Sequence, residues 1–236
     1  INPVAIPFDP VTLRAGTPVV LDTQNNIRVP SGVSPDGTQI AYFAIGEHQE
    51  DLFIGPRGGP MRRVTDDPAR DRSPGFTPDG RSLVFYSNRD GQWRPWIIGL
   101  DGGGLRKLAD PPAGAVYTLV SPKGDAIVFI SDSGQGVYTA PLGTTPSAVT
   151  ELPNTAVAGK YFSPSDWSPD GAQLAGNFTA ASGRPAGVGV YDLGKKTATI
   201  LSTDETYATA WLPDNRRVVY FRKAGHELVV LDTVSR

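Results

Sequence analysis

The sequence predicts an all-β fold, a β-propeller of four-stranded antiparallel blades, with five closed blades as the reading and six as its alternative. Three observations predict it. First, a proline turn recurs as "VSPDG" (33–37), "FTPDG" (76–80), "VSPKG" (120–124), "WSPDG" (167–171) and "WLPDN" (211–215), so that Pro35, Pro78, Pro122, Pro169 and Pro213 stand 43, 44, 47 and 44 residues apart. A period of about 40 to 50 residues marks a propeller or a solenoid, one supersecondary unit per period. Second, each turn is followed by short runs rich in β-branched and aromatic residues, the composition of strands. Third, no segment keeps the 3.6-residue apolar period of a helix, which removes the helical solenoids.

Each element of the unit has a physical reason. Proline presets φ for the second position of the turn, the preceding Ser or Thr bonds the backbone, and glycine takes the left-handed position that closes the hairpin. Asn215 replaces that glycine in the last copy and is the next best residue at positive φ. The strand after the turn reads "IAYFA" (40–44), "LVFYS" (83–87), "AIVFIS" (126–131), "QLAGNF" (173–178) and "VVYFR" (218–222). Its successor reads "DLFIGP" (51–56), "PWIIGL" (95–100), "GVYTAPL" (136–142), "GVGVYDL" (187–193) and "ELVVLD" (227–232). A more polar run closes four of the units: "RRVTDD" (62–67), "LRKLAD" (105–110), "SAVTEL" (147–152) and "TATILS" (197–202). With the strand that leads into each turn, every unit has four strands, and such units stack radially with their apolar strands innermost.

The last unit lacks an outer strand, and "PVVLDT" (18–23) is expected to supply it in a strand-exchange clasp, leaving "PVAIPF" (3–8) as a surplus strand. The alternative is most of a six-bladed ring. Residues 1–236 are expected to form a single propeller domain. The chain begins "INPVAIPFDP" without methionine, as a processed mature form or a piece of a longer protein would.

Composition narrows the function. A net charge of −2 gives no electrostatic reason to expect nucleic acid or an anionic membrane. No cysteine is present, which excludes disulfides, thiolate metal sites and cysteine nucleophiles. No apolar run approaches the roughly 18 to 20 residues that cross a bilayer.

The order "SPDG", apolar strand, "SNRDG" (87–91), aromatic strand and glycine-rich turn resembles the repeat of the TolB-like, WD-repeat-like β-propeller family of bacterial envelope proteins. "FTPDGRSLVFYSNRDGQWRPWIIGLDGGGLRKLAD" (76–110) is its best copy. The resemblance implies the propeller fold, a periplasmic or extracytoplasmic place and a non-catalytic binding or sensing role. The motifs are fold determinants, so function has to be argued from a site.

Catalytic constellations are scarce. There is no G-x-S-x-G elbow for a serine hydrolase. His48 and His226 both follow a unit's second strand, and with Glu47, Glu50 and Asp51 nearby a two-histidine metal site is conceivable. Solvated loop histidines are the simpler reading, and no metal or cofactor is expected. Asp36, Asp79, Asp170 and Asp214 recur in the proline turns, where bonding of backbone amides explains them without a ring of metal ligands. "DGGG" (101–104) lacks the lysine and helix of a phosphate loop. What remains is the long, varied loops of one face. Arg89, Trp93, Arg94, Tyr161 and Arg184 are of the types that dominate interface energetics and are the candidate ligand-binding residues. The expected function is therefore a binding or sensor module for a protein, peptide or small ligand, on the loop face or in the central channel. The alternative is a propeller-class glycosidase or lyase using channel carboxylates or a histidine metal site.

Overall fold

The computed structural model describes residues 4–20, 28–46, 49–143, 146–206, 208–222, 224 and 227–235. Among them every regular element is a strand. An N-terminal arm carries β1 (Val4–Ala5), β2 (Phe8–Asp9), β3 (Arg14–Ala15) and β4 (Val19–Val20). Blade I is β5 (Arg28–Val33), β6 (Gln39–Ala44), β7 (Leu52–Pro56) and β8 (Arg62–Arg63). Blade II is β9 (Asp71–Phe76), β10 (Ser82–Ser87), β11 (Arg94–Gly99) and β12 (Arg106–Lys107). Blade III is β13 (Ala115–Val120), β14 (Ala126–Ser131), β15 (Val137–Pro141) and β16 (Thr150–Glu151). Blade IV adds a fifth strand at its inner edge: β17 (Ala156–Val157), β18 (Lys160–Trp167), β19 (Gln173–Ala180), β20 (Pro185–Asp192) and β21 (Thr197–Ser202). Blade V is β22 (Thr209–Trp211), β23 (Arg217–Arg222) and β24 (Glu227–Asp232). All pairings within the blades are antiparallel, giving a five-bladed β-propeller.

The core lies between blades. Leu52, Ile54, Leu83 and Phe85 join I to II; Val84, Leu108, Ile127 and Phe129 join II to III. Val128, Phe162, Phe178 and Tyr191 join III to IV, and Ala175, Val190, Trp211 and Val218 join IV to V. The second strands of blades II and III are buried on both faces, so they read as unbroken apolar runs without alternation.

The proline turns are built as their letters require. Gly37, Gly80, Gly124 and Gly171 have φ between 68° and 76°, and Asn215 takes the same conformation at φ 55°. The turn aspartates bond locally: Asp36, Asp79 and Asp170 each accept from the Ser or Thr two residues earlier and from the amide two residues later. Asp214 accepts the amides of Arg216 and Arg217. Successive turns also touch, since Asn215 Oδ1 accepts the Asp170 amide at 2.8 Å. Asn215→Ala would impose positive φ on a β-carbon with no compensating bond, so a loss of about 2 kcal/mol is expected. Asn215→Gly removes only the bond between turns and should lose about 1 kcal/mol, both losses being read by urea titration.

Among the described residues the clasp is not formed, and residues 21–23 of the expected strand lie outside them. Val19 and Val20 pair with Ala5 and Val4, and among the described residues β24 pairs only with β23. The arm folds on itself because Asp9 nucleates a turn, with Oδ1 accepting the Val11 amide and Oδ2 the Thr12 hydroxyl. A Gly16 amide to Pro7 carbonyl bond of 2.7 Å closes the hairpin. The tip of the arm rests on blade V, where Arg217 Nη2 donates to the Pro10 carbonyl at 3.1 Å.

Candidate functional site

The inner strands of the blades surround a cavity of about 760 Å³, the volume of a small-ligand site. Its walls are residues 30–33 of β5, 73–76 of β9, 117–120 of β13, Tyr161 and residues 163–167 of β18, and Ala208 ahead of β22. On one side it reaches the β14–β15 hairpin at residues 133–135 and the β19–β20 hairpin at Ala180, Ala181 and Gly183. The cavity is thus the central channel, extended toward the loop face between blades III and IV.

Inner strands shape this wall through a shared irregularity. The register of each of the first four inner strands against its neighbour slips just before the proline turn. Such bulges re-aim side chains. In blades II and III the slip holds Ser73 at φ 49° and Tyr117 at φ 54°, an uncommon conformation for residues that carry a β-carbon. Tyr117 remains 54% exposed although it lies on an inner strand, and its ring contacts Tyr86 at 5.7 Å.

The electrostatics of the cavity centre on Asp166. Among the described lining residues it is the only aspartate, and none is a glutamate, lysine, arginine or histidine. Asp166 Oδ1 accepts the Trp167 amide at 2.9 Å and Oδ2 the Trp211 amide at 2.7 Å, a bond that ties blade IV to blade V. Burial outweighs both bonds and raises its pKa to about 6. No ion pair involves Asp166 among the described residues.

A family model described as the TolB β-propeller domain matches residues 15–236. The chain belongs to the TolB β-propeller family. A Tol-Pal system protein TolB of Bordetella pertussis is 56% identical over 34 residues, 14% of this chain and 8% of that protein. An uncharacterised protein of Agrobacterium fabrum is 34% identical over 82 residues, 34% of this chain and 28% of that one. The crystal structure of TolB from Acinetobacter baumannii superposes with a TM-score of 0.76 at 19% identity, covering 98% of this chain and 60% of that chain. The chain therefore spans about three fifths of the solved TolB and smaller shares of the sequence relatives.

The candidate binding residues of this TolB-type propeller take different places. Arg89 is a brace. Its Nη2 donates to both Asp71 oxygens at 2.8 Å, Nη1 to Asp67 at 3.1 Å and Nε to the Ser87 hydroxyl at 3.1 Å, with the guanidinium stacked over Phe85 and Trp96. Arg94 is equally committed, to Asp110, Gln92 and the carbonyls of Trp93 and Ala113. Trp93 packs edge-on against Tyr86 at 5.2 Å and under the Arg72 guanidinium. Tyr161 lines the cavity, and Arg184 is exposed on the hairpin whose Gly183 lines its mouth.

Glu50 and Asp51, considered with the histidines, are spent on Arg72 and Arg63. Glu47, His48 and His226 lie outside the described residues, and the described residues hold no group of three or more metal-ligating side chains. The carboxylate pair that a glycosidase would need is not among the described lining residues, where Asp166 is the one acid.

Reading the chain by loop composition missed Tyr117 and Asp166. The signal for Asp166 was in the repeat: at that position, two before the Ser, Thr or Leu of the turn, the other copies carry Gly32, Gly75, Leu119 and Ala210.

Proposed function

We infer that this propeller is a non-catalytic binding module that receives a protein, peptide or small ligand at the mouth of its central channel between blades III and IV. One observation carries the reading: a cavity of ligand size, walled by inner strands and opening at two hairpins, beside Tyr161 and Arg184. Rigid strands that present variable loops around a concave site are a common binding arrangement. The sequence relatives named for the Tol-Pal system support a protein partner from that system and an extracytoplasmic place of action. Trp93, stacked and half-buried, belongs to the rim; Arg89 and Arg94 serve by holding the β10–β11 loop in shape.

Gly75 offers a clean test. It lines the cavity, and a β-carbon built on it meets nothing nearer than the Val84 carbonyl oxygen at 4.0 Å. Gly75→Phe should therefore plug the channel without straining the backbone. Isothermal titration with the other Tol-Pal proteins of the same organism is expected to show saturable binding by the wild type and at least a tenfold loss in the plugged variant. Equal binding by the two proteins would remove the channel from the function.

A further inference from the structure

Asp166 breaks the rule of the repeat. Where the four other inner strands carry glycine, leucine or alanine, blade IV places a carboxylate in the channel wall. Blades I, II and III turn at the same position without one, and in blade IV the carboxylate also ties the strand to blade V through the Trp211 amide. Among the described residues its two backbone bonds leave the ionised form without a counter-ion, and the other described lining groups are neutral. The other ionisable groups among the described lining residues are the hydroxyls of Tyr117 and Tyr161, and the cation placed at the cavity is Arg184, exposed on the hairpin at its mouth. Both tyrosines, Phe76 and Trp167 supply aromatic surface to the same cavity. A lone carboxylate in the same cavity as aromatic rings, with no cation among the described lining residues, is complementary to an organic cation, which pairs with the acid and lies against the ring faces.

We propose that the channel is selective for an organic ammonium group on an apolar body, seated on Asp166 and against the aromatic wall of the cavity. The proposal rests on the channel being the binding site and adds the chemistry of what enters it. The ammonium has two sources, a free amine or a lysine tip of a protein partner, and the probes separate them.

Phenethylammonium, 2-phenylethanol and phenylacetate share one ring and differ in charge; N-acetyl-lysine methylamide represents the lysine tip. Titration into the wild-type protein at pH 7.5 is expected to give saturable binding of phenethylammonium or the lysine probe. The alcohol should bind at least tenfold more weakly, and phenylacetate more weakly still. Asp166→Asn should bring the ammonium down to the level of the alcohol. Because Asp166 also holds the Trp211 amide, the wild type carries an independent test: ammonium affinity should fall about tenfold from pH 7.5 to pH 5.0 as Asp166 takes up its proton, while the alcohol is unaffected. Equal affinity for the alcohol and the ammonium, or no binding of either amine, overturns the proposal. Loss of partner binding in Gly75→Phe together with failure of every amine would refute the charge preference and leave the channel site intact.

Discussion

Replacing Arg89 by methionine is expected to cost about 3 to 5 kcal/mol of folding stability, a large part of the total for a domain of this size. Asp71 is 1% exposed, and both of its oxygens accept from Arg89. Burial already raises the pKa of Asp71 against the opposing influence of Ser87, Arg89 and Thr65. Without the guanidinium a buried carboxylate would be left to two hydroxyls, and the protein would unfold or protonate it. Methionine keeps much of the packing over Phe85 and Trp96, so the loss reports the ion pair more than the cavity. The sign of the pH dependence follows. A carboxyl whose folded pKa is raised favours the fold when protonated, so Arg89→Met should lose more stability at pH 7.5 than at pH 4.5 in urea titrations. Removing the orphaned acid as well, in Arg89→Met with Asp71→Leu, should recover more than half of the loss. A stable Arg89→Met protein that had lost only partner binding would instead return Arg89 to the binding surface.

Asp166→Asn is expected to change the slope of stability with pH. The folded pKa of Asp166 is about 6 against an ordinary value of 3.8. Its contribution is therefore fully present below about pH 4 and is lost as pH rises through 6, a swing of about 3 kcal/mol. Carboxylates of the proline turns act elsewhere on the scale. Hydrogen bonds from Ser34, Thr77 and Ser168 lower the pKa values of Asp36, Asp79 and Asp170, so their contribution is lost only at more acid pH. The difference between wild type and Asp166→Asn over pH 4.5 to 7.5 thus isolates one residue. Asparagine keeps one acceptor and loses the other, so the variant should be the less stable protein at pH 4.5, where the Trp211 bond is missed. It should match or exceed the wild type at pH 7.5, where position 166 no longer carries a buried carboxylate. Parallel curves would mean that Asp166 does not titrate in this window.

Much of this molecule was legible in its letters. The 43- to 47-residue spacing of the prolines predicted five repeated units, and runs such as "AIVFIS" and "ELVVLD" coincide with β14 and β24 at both ends. Turn chemistry is local and strand composition nearly so, which is why Asn215 was recognised as a glycine substitute without a structure. Some outer strands were harder to bound: of the six residues of "LRKLAD" only Arg106 and Lys107 form the strand beside β11, while Ala109 turns to bridge Ser147 of the next blade.

What the sequence determined by itself is the repeat, the absence of helix and the family. The tertiary structure alone decided where the side chains of the loops and inner strands are used. Arg89, Arg94 and Tyr161 are equally plausible binding residues by type, yet the first two spend their donors on acids brought from neighbouring segments while the third faces a cavity. The arm likewise closes on itself through a turn at Asp9, although residues 18–23 have the composition of a blade strand. The physical reason is the same in each case. A turn is set by residues adjacent in sequence, whereas burial, ion pairing and the wall of a channel are set by residues tens of positions apart that meet only when the blades stack.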